Sequence, residues 1–286
     1  MLSSALLLIL GLAPPSDAGI FSSTPLSQST SVTALSRAAR KLLDDGRYQQ
    51  AEPLLERRLE LAREHPTLDP KPLAEAELEL ADARAAQGRF SDAEELYDAA
   101  YARIRPAYGL DDPQVAALVD KMGELYRQQG RYLRSEQLLR QALDARERKL
   151  GPEHPDLAES VQHLGRLMRD EGRFHDAEGL LNRALAIRSK PFGGSRSAAS
   201  ARVVADLASL YKAQDRFEQA EPLYRKAAAL QRRALGRHHP DLAATLEQGA
   251  VVLRQRGQPS DAEAFETEAS AIRAVNARDV PAVAGG

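Results

Sequence analysis

The amino-acid sequence predicts an all-α fold, a right-handed α-solenoid of about six helix-turn-helix repeats over residues 31–278. Three observations predict it: a turn motif that recurs at a fixed step, small residues at fixed distances from that turn, and larger apolar residues at helical spacing beside them. Repeats with a period between about 20 and 50 residues are typical of solenoids, and about three copies make a stable stack.

The turn motif recurs with a nearly constant step. In each of the first four copies a glycine is followed by an arginine and an aromatic residue, and the glycines are 42 residues apart. The fifth copy follows after 43 residues and the sixth after 42, which places the turns at 46, 88, 130, 172, 215 and 257. A glycine here is expected to adopt the positive φ that ends the first helix of each repeat.

The residues around the turn predict two helices per repeat. Small residues stand seven before and five after it, and larger apolar residues stand next to them at spacings of three and four, which indicates two amphipathic helices that cross closely. The small residues are Ala39, Ala81, Gly123, Gly165, Ala208 and Ala250 before the turn, and Ala51, Ala93, Ser135, Ala177, Ala220 and Ala262 after it. First helices are expected near 31–45, 72–87, 113–129, 155–171, 197–214 and 240–256. Second helices are expected near 48–64, 90–107, 132–149, 174–190, 217–234 and 259–276.

Pro53 and Pro222 fall deep inside two of the expected second helices. Pro53 and Pro222 each lie seven residues past a turn. Proline in a helix interior removes one hydrogen bond and clashes with the preceding turn. These positions therefore predict either a late start of the two helices or a local kink.

The order of residue sizes in the repeat resembles that of the tetratricopeptide repeat. In the fourth copy it falls on Val161, Leu164, Gly165, Met168, Ala177, Leu181 and Ala184, and tyrosine takes the aromatic position in the third and fifth copies at Tyr126 and Tyr211. The longer period is similar to the kinesin light chain subgroup, whose motif L-G-x-x-H-P-D-x-A is matched by Leu150–Ala158 and Leu235–Ala243. The resemblance implies a protein-binding scaffold in which the first helix of each hairpin lines a concave groove.

The two ends of the chain show different patterns from the repeats. Residues 1–18 combine a short apolar run with small residues at 16 and 18, which is typical of an export signal, although no Lys or Arg precedes the run. A signal predicts a periplasmic or secreted protein without a stable membrane anchor after cleavage; the alternative, an uncleaved hydrophobic start, predicts a cytoplasmic protein. Residues 19–30 are expected to be a flexible Ser/Thr-rich lead-in, and residues 279–286 a disordered tail.

Composition and motifs argue against several classes of chemistry. The net charge of −2 disfavours general nucleic-acid binding, and the absence of cysteine excludes disulfides and thiolate metal sites. The glutamate six residues past every turn is interpreted as structural in each hairpin, and His238-His239 as turn residues. Phe192-Gly193-Gly194-Ser195 lacks the lysine of a phosphate-binding loop. We therefore expect no catalytic residue, no metal and no cofactor.

The expected function is to bind a peptide or protein segment in the groove. The partner that supplies this segment is expected to carry acidic side chains or a free C-terminus. The resemblance places groove positions ten, six and three residues before the turn, and position three is basic in four consecutive copies. The alternative function is a helical-repeat nucleic-acid-binding module, for which a shorter period and a basic surface would be typical. The candidate groove residues are Arg127, Arg169, Lys212, Arg254, Gln162, Arg166, Asp120, Glu124, Ser209 and Glu247.

Overall fold

The computed structural model describes residues 25–189 and 198–278, and this part of the chain contains twelve α-helices. They form six hairpins whose first helices are α1, α3, α5, α7, α9 and α11. The helices are α1 (Pro25–Asp44), α2 (Tyr48–Glu64), α3 (Lys71–Ala86), α4 (Phe90–Tyr108), α5 (Pro113–Gln128), α6 (Tyr132–Leu150), α7 (Leu157–Asp170), α8 (Phe174–Ser189), α9 (Ala198–Ala213), α10 (Phe217–Ala234), α11 (Pro240–Gln255) and α12 (Pro259–Arg278). The predicted all-α array of helix-turn-helix repeats is confirmed.

The helix bounds agree with the sequence prediction to within two residues, except at the start of α1. That helix begins at Pro25, so the second half of the expected flexible lead-in is helical. Proline is well suited to the first helical position because its fixed φ matches a helix and its missing N–H needs no partner there. The proposed signal, residues 19–24, Phe192-Gly193-Gly194-Ser195 and the tail lie outside the described residues.

Each hairpin turn ends its first helix in the same way. The glycine has φ between 71° and 77° in five turns, and Asp215 takes the same place with φ 55°. In the fourth turn the N–H of Gly172 donates to the carbonyl of Arg169 at 3.0 Å, and the N–H of Arg173 donates to that of Met168 at 2.8 Å. This paired arrangement satisfies two carbonyls at the helix end and requires the positive φ.

The small residues lie where the two helices of a hairpin cross. All nine alanines among them are at most 1% exposed, and Ser135 is fully buried, with its hydroxyl donating to the carbonyl of Gly123 at 2.7 Å. A Cβ added at Gly123 would lie 2.7 Å from Leu139 Cγ. The close approach of the helix backbones is the physical reason for small residues at this position.

Pro53 and Pro222 do not delay the start of their helices. Helix α2 is continuous from Tyr48 through Pro53, and α10 is continuous from Phe217 through Pro222. The predicted late start is therefore wrong. The turn motif fixes the helix start at the residue after the arginine, and the proline falls within a helix that is already nucleated.

The chain divides into two compact units, residues 1–103 and 104–286. In the first unit, α2 packs on α1 and α3, and the Tyr97 hydroxyl of α4 donates to Asp82 of α3 at 2.7 Å. In the second unit, each helix from α6 to α12 packs on the one before it. Among the described helices, none has both the length and the apolar composition that a membrane crossing requires.

One continuous core in the second unit connects successive hairpins. Its fully buried members include Leu139 of α6, Leu157 of α7, Leu181 of α8 and Leu210 of α9. Burying a leucine completely stabilises the fold by about 1.5–3 kcal/mol. Because these side chains come from neighbouring hairpins, each hairpin depends on the next for its stability.

The glutamate six residues past the turn is structural, and in the first and third copies it also joins one hairpin to the next. Glu52 accepts from Arg89 Nη1 at 2.7 Å, and Glu136 accepts from Arg173 Nη1 at 3.0 Å. In both cases the arginine belongs to the turn of the following hairpin. Burial disfavours ionisation of Glu136, yet the hydrogen bonds from Arg173 and Arg140 hold its pKa below the ordinary value. These contacts therefore fix the spacing of neighbouring repeats.

Candidate binding surface of the first helices

The first helices of the second unit lie side by side. Helix α5 contacts α7, α7 contacts α9, and α9 contacts α11. Side chains ten, six and three residues before each turn share one stripe of a helix because they are spaced by four and three. We call the surface that these stripes form together the first-helix face; it contains all the candidate groove residues.

Glu124 is the centre of the first ion-pair group on this face. Its carboxylate accepts from Arg127 Nε and Nη2, both at 2.8 Å, and from Gln128 at 3.0 Å, and Arg166 of α7 lies at 3.1 Å. Burial disfavours ionisation, but the charges of Arg166 and Arg127 outweigh it and hold the pKa of Glu124 well below its usual range. Glu124 is thus a fixed anion that joins α5 to α7.

Asp170 joins two of the predicted basic residues. Arg127 donates to one of its oxygens, and Arg169 Nε and Nη2 donate to the other at 2.9 and 2.7 Å. The side chain of Arg127 is only 9% exposed. Arg127 is therefore a buried structural residue between two carboxylates, not the accessible cation that the sequence predicts.

Gln162 and Asp206 form the link from α7 to α9. The amide of Gln162 donates to Asp206 at 2.6 Å, and Arg166 Nε lies 3.7 Å from the other oxygen of Asp206. Arg188, from the end of α8, reaches the same place and donates to the Gln162 oxygen at 3.4 Å. Two arginines therefore converge on this amide–carboxylate pair.

A buried histidine forms a second contact between α5 and α7. His163 Nδ1 lies 2.8 Å from an oxygen of Asp120, which is 1% exposed, and Arg146 lies 3.9 Å from the same oxygen. Burial disfavours the imidazolium, but the charges of Asp120 and Glu124 raise the pKa of His163 above its ordinary value. Asp120 of α5 thus contacts both α6, through Arg146, and α7, through His163.

The remaining candidates differ in whether their partner lies in a neighbouring hairpin or in their own. Lys212 donates to Gln248, and burial together with the nearby charge of Arg169 lowers its pKa. Arg254 instead pairs with Glu266 of α12 at 2.6 Å, and Glu247 with Arg273 of α12. Arg254 thus pairs within its own hairpin, whereas Arg127 and Arg169 are joined through Asp170. Ser209, at 3.0 Å from the Tyr224 hydroxyl, is partly buried.

Sequence reasoning missed several members of this network. They are Asp170, Asp206, His163, Arg146 and Arg188. A signal for the two arginines was present, since both stand sixteen residues past a turn. For the others the contact partner lies about one repeat away, at separations of 43 or 44 residues.

The histidines of the loops have structural roles. His239 caps α11 with its Nδ1, which accepts from the Asp241 N–H at 3.1 Å, and His154 accepts from the Asp156 N–H at 3.2 Å. Over residues 25–189 and 198–278, no three His, Asp or Glu side chains come together as a metal site would require.

Family models described as tetratricopeptide repeat match residues 33–67, 72–147, 115–190 and 197–274. These matches cover most of the chain, and the protein belongs to the tetratricopeptide repeat family. The comparison with curated proteins gave no match.

Solved structures with the same fold include proteins with kinesin light chain repeats. The chain is similar to BtubC (BKLC) from P. vanneervenii, with TM-score 0.58 and 24% identity over 91% of this chain and 96% of that one. It is also similar to a putative kinesin light chain from Podosopora anserina with nearly identical TPR-like repeats, with TM-score 0.53 and 24% identity over 71% and 95%. A Rap protein gives TM-score 0.61 and 15% identity over 85% and 77%. These likenesses establish the fold.

Proposed function

We propose that the protein is a non-catalytic scaffold that binds a peptide or protein segment along the first-helix face of hairpins three to five. The observation that carries this proposal is the network of charged and amide side chains across α5, α7 and α9. Its members hold one another in place, so a ligand would meet polar groups that are already oriented. Such preorganisation lowers the entropic cost of binding.

The charge of the face favours an anionic segment. Arg169 and Lys212 come from adjacent helices and lie close enough for the charge of Arg169 to lower the pKa of Lys212. An acidic side chain or a C-terminal carboxylate bound between them would relieve this repulsion, and arginine suits bidentate capture of a carboxylate. The partner is therefore expected to carry acidic residues or a free C-terminus.

One neighbour of the same fold supports binding as the general activity. The Rap protein was solved in complex with Competence and Sporulation Factor. Repeat arrays of this kind present extended surfaces that suit recognition of other chains. An enzyme would need a nucleophile, a base or a metal on this face, and the network offers arginines and carboxylates that are paired with one another instead.

A library of displayed peptides tests the proposal, with free C-termini in one arm and internal sequences in the other. Selected peptides should bind a variant with Arg169→Gln and Lys212→Gln at least about 10-fold more weakly, which corresponds to roughly 1.4 kcal/mol. Arg169 is suited to this test because Asp170 keeps Arg127 as a partner after the change. Arg254→Gln is the matched control, since Arg254 pairs within its own hairpin.

Three outcomes would contradict the proposal. They are the selection of no peptide, unchanged affinity in the folded double variant, and equal loss in the control. Salt-dependent binding of a labelled single-stranded RNA with no peptide selected would favour a nucleic-acid-binding module instead.

We also propose that the protein is exported. The support is the apolar run and the small residues of positions 1–18. N-terminal sequencing of the native protein should then give Gly19 as the first residue. A cytoplasmic product that retains Met1 would contradict export.

A further inference from the structure

Three second helices carry an arginine at the same place in the repeat. Arg146, Arg188 and Arg273 each stand sixteen residues past their turn. From there the side chain reaches the residue ten before the turn of its own hairpin, on the first-helix face. The three pairs are therefore equivalent positions in one repeating geometry and can be compared directly.

In two of the three hairpins the facing residue is a carboxylate. Arg146 Nη1 lies 3.9 Å from Asp120 and also donates to Ser160, and Arg273 Nη2 donates to Glu247 at 2.6 Å. The chain thus compensates the arginine charge within the hairpin itself. The partner anion is a carboxylate in both cases.

In hairpin four the facing residue is an amide. Arg188 donates to the oxygen of Gln162 at 3.4 Å, and Gln162 in turn donates to Asp206. The Nε of Arg188 is buried without a hydrogen-bond partner. Buried polar groups in native proteins are nearly always paired, and an unpaired one calls for an explanation.

Arg188 forms no ion pair within the described part of the chain. Within the described ranges no carboxylate lies within 4.0 Å of its guanidinium, and residues 190–197 contain no Asp or Glu in their sequence. Burial lowers the pKa of Arg188 below its ordinary value, the charge of Glu159 partly opposes this, and the charge of Arg202 lowers the pKa further. Arg202 is exposed at the start of α9.

We propose that Arg188, together with Arg202, receives a carboxylate side chain of the bound segment. The ligand's aspartate or glutamate would take the role that Asp120 and Glu247 have in hairpins three and six. Uncompensated charges held for binding cost stability in the free protein, so the site can be recognised by stability as well as by affinity. This inference rests on the proposed function, because it names the chemistry of one contact in that interface.

A stability comparison tests the inference without any ligand. Arg146→Met removes a cation that is paired with Asp120, and it leaves this buried carboxylate with His163 as its remaining partner. The thermal midpoint should therefore fall by about 6 °C or more. Arg188→Met should leave the midpoint unchanged or raise it, because a buried cation without a carboxylate is replaced by an apolar chain of similar length. An equal fall for both variants would show that the fold already compensates Arg188, and would overturn the inference.

A binding comparison tests the ligand chemistry. Labelled hexaglutamate should bind the wild-type protein in a fluorescence-anisotropy titration, and hexaglutamine should not. Arg188→Met and Arg202→Gln should each weaken hexaglutamate binding at least about 10-fold, whereas Lys226→Gln, the loss of an exposed cation on α10, should not. Displacement of the peptide by an equal concentration of inorganic phosphate would indicate a general anion site and overturn the assignment.

The two proposals fail in distinguishable ways. If library peptides bind through Arg169 and Lys212 but the two changes at 188 and 202 have no effect on them or on hexaglutamate, the further inference is wrong and the proposed function stands. If no peptide is selected and hexaglutamate does not bind, the proposed function fails and this contact fails with it.

Discussion

Replacing Gly165 by alanine tests the close crossing of α7 and α8. A Cβ at this position would lie 2.9 Å from Leu181 Cγ, 3.0 Å from Leu181 Cδ2 and 3.3 Å from Leu180 Cβ. Leu181 is fully buried, so it cannot turn away without disturbing the core. Overpacking of this kind costs about 1–3 kcal/mol.

Gly179→Ala is the matched control in the same hairpin. Gly179 is exposed in the middle of α8, and a Cβ there would meet nothing within 4 Å. Both substitutions gain about 1 kcal/mol of helix propensity, because alanine restricts the unfolded chain more than glycine does. The propensity gain cancels in the comparison, and the free energies of unfolding of the two variants should differ by the overpacking cost alone.

The assay is thermal unfolding followed by far-ultraviolet circular dichroism. For a domain of this size about 1 kcal/mol shifts the midpoint by about 2–4 °C, so Gly165→Ala should unfold about 3–9 °C below Gly179→Ala. The control should unfold at or slightly above the wild-type temperature. Equal midpoints for the two variants would refute the helix crossing at Gly165 as the reason for a small residue there.

Three further predictions concern the turns, the contacts between repeats and the buried histidine. Asp215→Gly should raise the free energy of unfolding by about 1 kcal/mol, because only glycine adopts this positive φ without cost, and Gly172→Ala should lower it by a similar amount in the same denaturant titration. Glu136→Gln should cost about 0.5–1 kcal/mol, whereas Glu263→Gln, at the same repeat position but in no ion pair among the described residues, should cost nothing measurable. Since the folded pKa of His163 is raised, its stabilising contribution is complete below its unfolded pKa of about 6.5 and is lost as the pH rises through the folded value. The thermal midpoint of His163→Gln should therefore lie furthest below that of the wild-type protein in acid, and the difference should shrink as the pH rises through the folded pKa. A difference that is the same at every pH would contradict this.

The pattern of small and apolar residues predicted the fold because it is local and repeated. Spacings of three and four define each helix, and the turn recurs six times, so that the boundaries of the helices can be predicted from several copies. The start of α1 is the exception, because residues 25–30 belong to no repeated pattern that could mark them as helical. The helix that contains Pro53 is another exception, because the late start expected from the proline alone ignored the preceding turn, which already nucleates the helix.

The candidate surface was predicted only as a set of positions. Arg127 and Arg169 do lie on one face, as the spacing predicts, but the sequence did not show that both share Asp170. Arg254 occupies the same repeat position and yet pairs with Glu266. A repeat position fixes the direction of a side chain, whereas its partner depends on which residues the neighbouring helices happen to carry there.

The sequence by itself therefore determined the repeat, the two helices of each hairpin and the stripe on which polar residues stand. Only the tertiary structure decided which of these charges are compensated. The contacts that decide it, such as Arg127 with Asp170 and Gln162 with Asp206, join residues 43 and 44 positions apart. The physical reason is that helix periodicity is a property of a few consecutive residues, while an ion pair requires two side chains from different helices to meet at about 3 Å.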